Sequence, residues 1–126
     1  MIILGDKRKK LIDNLNFNES LKKLAAGESV HDELDFRCLK LKYSLEPENF
    51  YPVELDVVPL WESDTSITGF YLDEKSEPVF IHYYVEDIDE YKVVGKSVAD
   101  LVEFLVEEYV EYDFENEVRT LLLKSD

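Results

Sequence analysis

Cysteine is almost missing from this chain: Cys38 is the one thiol in 126 residues. No internal disulfide can form, and a reducing, cytoplasmic setting is the expectation. Glycine and proline number four each, so no glycine-rich phosphate loop and no flexible linker divides the sequence. His31, His82 and Cys38 are the only soft metal ligands, and they stand too far apart for the spacing of a structural zinc site. No apolar run approaches the roughly 20 residues that cross a bilayer. The start, Met1-Ile2-Ile3-Leu4-Gly5, is too short for a secretory signal, and its charges follow it rather than precede it.

Positive charge is scarce in one part of the chain only. Residues 1–50 hold nine Lys/Arg and nine Asp/Glu, whereas residues 51–126 hold five against twenty. The whole net charge of −15 therefore belongs to the second part. Such a field repels phosphate backbones and anionic membranes and speeds encounter with basic proteins. Nucleic acid and membrane surfaces are excluded as partners on this ground.

Apolar residues are plentiful. At 45% hydrophobic and 13% aromatic, a chain of this length forms one cored domain over residues 1–126. From Asp6 to Phe17 the basic cluster Lys7-Arg8-Lys9-Lys10 leads into Leu11, Ile12, Leu15 and Phe17 at helical spacing, so the cluster reads as a solvated helix face. A second helix is predicted from Glu19 to Ala26, capped by Asn18 and stopped by Gly27.

The period then becomes two. Phe36–Leu45 alternates as a half-buried strand, Glu46-Pro47-Glu48-Asn49 reads as a turn, and Val53–Val57 alternates again. Val58-Pro59-Leu60-Trp61 ends that strand, with the proline marking an edge or bend and Trp61 reading as core. Ile67–Leu72 and Val79–Val85 are predicted strands around a turn at Asp73–Pro78, and Tyr91–Val94 a short last one. Glu86-Asp87-Ile88-Asp89-Glu90 reads as a solvated acidic connection. Ser97 and Asp100 then open a helix whose apolar stripe is Val98, Leu101, Val102, Leu105, Val106, Tyr109 and Val110. A last helix is expected over Phe114–Leu123. The pattern is α+β, a central antiparallel sheet of about four to six strands with N-terminal and C-terminal helices.

Tests for chemistry fail in specific ways. Val94-Gly95-Lys96-Ser97 has the tail of a phosphate loop, but Glu90 occupies the position where the loop's first glycine belongs. A calcium loop begun at Asp87 would put Lys92 at the sharp-turn glycine and Val98 at the bidentate carboxylate. No Gly-x-Ser-x-Gly is present. No enzyme, metal or cofactor is expected.

The tyrosines are more informative: Tyr91, Tyr109 and Tyr112 adjoin acidic residues, and Tyr71 and Tyr84 stand two positions from one. Tyrosine offers rigid area with a polar tip and is favoured at protein interfaces. Glu62 and Asp64 after the Trp61 strand, with Glu86, Asp87, Asp89 and Glu90, are the candidate acidic contacts. Tyr84 and Tyr91 are the candidate anchors.

From Val58 to Leu122, the order Pro59-Leu60-Trp61, Gly69-Phe70-Tyr71, Val79-Phe80-Ile81-His82-Tyr83, the acidic run to Tyr91, and Ser97-Val98-x-x-Leu101 resembles the SUKH superfamily, the Smi/Knr-like proteins. The first third departs from it, since Leu24-Ala25-Ala26-Gly27 lacks the proline of the family's Leu-Pro-x-x-Tyr segment. The resemblance implies an α+β fold and, as in many bacterial members, a non-catalytic immunity protein. Its partner would be a cognate polymorphic toxin with a basic, nuclease-type domain. The alternative it leaves is a Smi/Knr-like regulatory or scaffolding module that binds an ordinary cellular protein.

Overall fold

Four antiparallel strands joined in sequence order form the sheet: β1 (Val58–Ser63), β2 (Ser66–Leu72), β3 (Pro78–Tyr84) and β4 (Asp87–Gly95). The computed structural model describes residues 3–35, 55–63 and 66–124. Before the sheet come α1 (Gly5–Asp13), α2 (Glu19–Ala25) and the single turn α3 (Asp32–Asp35). After it come α4 (Val98–Tyr109), a 3₁₀ turn (Tyr112–Phe114) and α5 (Glu115–Leu123). The architecture is α+β with an antiparallel sheet between N-terminal and C-terminal helices, and the four strands among the described residues are at the low end of the expected number. The strand expected over Phe36–Leu45, the turn after it, residues 53 and 54 of the next alternation, and Cys38 lie outside the described residues.

The helix signals act where the side chains can reach. Asn18 caps α2 by accepting from the Leu21 amide at 2.8 Å, and Gly27 follows at a φ of +83°, a conformation that costs glycine nothing. Ser97 accepts from the Asp100 amide at 3.1 Å and opens α4. The predicted stripe is confirmed: Leu101, Val102, Leu105, Val106 and Tyr109 are buried. The first helix is shorter than its periodicity indicated. It ends at Asp13 with Asn14 as C-cap, and Phe17 reaches the core from the following segment to stack on Phe80, ring centroids 6.4 Å apart.

The strands depart from simple alternation at bulges. In β1 the register with β2 shifts between Pro59 and Trp61, which accommodates a proline that lacks the ladder N–H. Gly69 of β2 passes so close to β1 that a Cβ there would sit 2.5 Å from the Val58 carbonyl oxygen. The Asp73–Pro78 turn forms as expected, with the Asp73 carboxylate accepting from the Lys75 and Glu77 amides and Ser76 at a φ of +62°.

Both sheet faces are buried. Leu60, Trp61, Phe70 and Phe80 pack with α4, α5 and the N-terminal helices in the main core. Val57, Ile67, Val79, Ile81 and Tyr83 form a second cluster. Trp61 is fully buried as expected, and among the described residues its indole N–H has no hydrogen-bond partner. Two polar side chains fasten the N-terminal helices. Arg8 donates from Nε to the Pro59 carbonyl at 2.8 Å and from Nη2 to the Ala25 carbonyl at 2.5 Å. Asn18 Nδ2 donates to the Leu121 and Lys124 carbonyls at 2.9 and 2.8 Å, which links the start of α2 to the end of α5.

Candidate functional site

The acidic run is not a connection between strands. Only Val85 and Glu86 make the turn, and β4 starts at Asp87. The physical reason is a large irregularity: Tyr84 pairs with Asp87 and Tyr83 with Tyr91, so residues 88–90 have no register partner on β3. The interrupted alternation brings Asp87 and Glu90 to the same cleft, of about 430 Å³, between β3, β4 and the outer flank of α4. Glu108 enters from α4. Two acidic stretches far apart in sequence therefore converge.

Aromatic rings form the walls. Tyr84 is 58% exposed at the end of β3 and meets the His82 ring edge-on, centroids 5.6 Å apart. His82 in turn packs on Phe104 of α4 at 4.9 Å. Lys92 carries its ammonium 5.2 Å from the centre of the Phe104 ring, a cation–π contact made within the chain. His82 is buried, with Nδ1 2.9 Å from the Thr68 hydroxyl. Burial first, and the charge of Lys92 second, lower its pKa to about 4. The imidazole is therefore uncharged at neutral pH, and three carboxylates face one ammonium in the cleft.

Comparison with family models, curated proteins and solved structures returns no match to this chain.

The expected contacts divide. Tyr84, Asp87, Glu90 and Tyr91 border the cleft. Glu86 and Asp89 are exposed nearby without lining it. Glu62 needs correcting, because it is only 5% exposed and does not stand on the acidic exterior. The bulge in β1 places it opposite Ile67, on the sheet face that also holds Tyr83. Burial, and secondarily the Glu62 charge, hold the Tyr83 phenol well above its ordinary range. Asp64 lies outside the described residues.

His82, Lys92, Phe104 and Glu108 were missed. A signal for them existed: His82 and Tyr84 share a strand face by period two, and Phe104 and Glu108 share a helix flank at i,i+4. Read together, those spacings would have joined the hairpin to the helix.

A second groove lies elsewhere, between α1 and α2, and it has a different character. The Lys7–Lys10 cluster is a solvated face only in part, because Arg8 turns inward to backbone carbonyls. Burial lowers the Arg8 pKa. Lys9, Lys22 and Lys23 share their groove with Asp13, Glu19 and Glu28, a balanced set with no field of one sign. Among the described residues, no His/Cys/Asp/Glu group of three or more is arranged to hold a metal ion, and no helix is long and apolar enough to cross a membrane.

Proposed function

We propose that the chain is a non-catalytic immunity protein that binds a basic, nuclease-type toxin domain in the cytoplasm and covers its working surface. The observation that carries this reading is the convergence of Asp87, Glu90 and Glu108 on one cleft beside the exposed Tyr84. A toxin that holds phosphate presents cations. Carboxylates at the cleft would speed encounter with it, and a seated ring would slow departure. The net charge of −15 adds a long-range field of the matching sign.

The deciding experiment is coexpression with the products of the neighbouring genes, tested for one that is toxic alone. Rescue of growth, together with a complex whose association slows as salt rises, supports the reading. A toxin that kills equally in the presence and absence of this protein defeats it. A stable complex with a cellular protein that is not toxic, without rescue, transfers the cleft to a regulatory or scaffolding module.

A further inference from the structure

The cleft holds a polar atom that neither the fold nor the acidic field uses. His82 is more than nine-tenths buried, at 8% exposure. Its Nδ1 is taken by Thr68, while Nε2 has no hydrogen-bond partner among the described residues. It is not a sealed orphan either, since among the described residues the Trp61 indole nitrogen is the one buried side-chain polar atom without a partner. The second nitrogen is therefore not sealed off, and the ring that carries it borders the cleft.

The chain also shows what the walls can hold. Lys92 already rests a cation over Phe104, whereas Tyr84 at the other end leaves more than half of its surface open. Asp87, Glu90 and Glu108 line the same cleft as both rings. A flat cation that forks hydrogen bonds in its own plane while stacking on a ring matches such walls better than a spherical ammonium does.

We propose that this cleft seats an arginine side chain of a basic protein partner, its guanidinium stacked on Tyr84 and hydrogen-bonded to the cleft carboxylates and to His82 Nε2. The inference rests on the proposed function for its partner class and adds the residue that is recognised. The ring can accept at Nε2 when Nδ1 carries the proton and donates to Thr68. Protonation of both nitrogens would abolish that acceptor and add a repelling charge.

The test uses the full chain with hexa-arginine and hexa-lysine peptides of equal charge, followed by calorimetry and by amide shift mapping. Hexa-arginine is expected to bind about three- to fivefold tighter, the size of one stacked cation–π contact, and to shift amides at 82–92 and 104–108. Tyr84→Ala should remove that preference, and the double variant Glu90→Gln, Glu108→Gln should weaken both peptides alike. All three side chains lie on the surface or in the cleft, and an unchanged melting curve verifies the fold of each variant. Equal affinity for the two peptides, shifts spread over every acidic surface, or an arginine preference that survives Tyr84→Ala would each overturn the assignment. The two proposals fail separately. Toxin neutralisation undiminished by Tyr84→Ala removes the arginine seat and leaves the function, whereas arginine selectivity at the cleft with no protection from toxin does the reverse.

Discussion

Two clefts of nearly equal volume, about 420 and 430 Å³, lie in different parts of this molecule and use charge in opposite ways. In the groove between α1 and α2 the half-buried Arg8 is bound to main-chain carbonyls of β1 and α2, and the lysines share the groove with carboxylates. In the cleft beside β4 the carboxylates have Lys92 alone as a counter-charge among the lining residues. The comparison separates charge content from charge that is available. Glu103 makes the same point within α4: it receives Arg119 at 2.6 and 3.1 Å from α5 and so joins two helices, while Glu108 four residues from Phe104 faces the cleft.

The largest expected effect comes from the N-terminal groove. Arg8→Ala leaves buried carbonyls without their donor and should destabilise by about 2–3 kcal/mol in urea titration, with Arg8→Lys restoring only part. If the variant unfolds at the wild-type midpoint, Arg8 is surface charge and the contrast between the clefts fails. Asn18→Ala removes a cap and the link to α5 together, and a loss of about 1–2 kcal/mol is expected by the same measurement.

The third effect is a pH dependence. His82 is held uncharged when folded, with a pKa near 4 against 6.5 for the free group. The unfolded chain thus binds the extra proton first, and stability should fall as pH drops from about 6.5 toward 4. Below that range the folded ring protonates as well, and this contribution levels off. Melting curves of wild type and His82→Gln should converge across that window; parallel curves would show that His82 titrates normally. The smallest stability effect is expected at the cleft rim. Glu108→Gln should leave the urea midpoint within about 0.5 kcal/mol yet reduce the association rate with a basic partner at low salt. A variant that changes stability and not association would reverse the comparison.

Where the sequence was legible, one signal sufficed locally. The stripe of α4, its serine cap, the Asn18 cap and the Asp73 turn each state their geometry within a few residues. The site was less legible because it depends on parity. The bulge between Pro59 and Trp61 turned Glu62 inward, and the irregularity over residues 88–90 set Asp87 and Glu90 together on a strand that composition alone made look like a loop. Burial of the second sheet face around Tyr83 was equally hidden, since alternation tells which residues share a face but not whether that face is covered. Phe104 fell outside the regular stripe and was missed for that reason, although it is 7% exposed and forms the far wall of the cleft.

The amide of Asn18 has a consequence for the order in which the molecule is made. Its two acceptors, on Leu121 and Lys124, lie more than a hundred positions downstream. While the polypeptide is still being threaded from the ribosome, the first helices can form their own turns but cannot be clasped until α5 has emerged. Closure of that clasp therefore waits on synthesis of α5, and a nascent protein stalled before Leu121 would expose an unfastened N-terminal edge to chaperones and proteases.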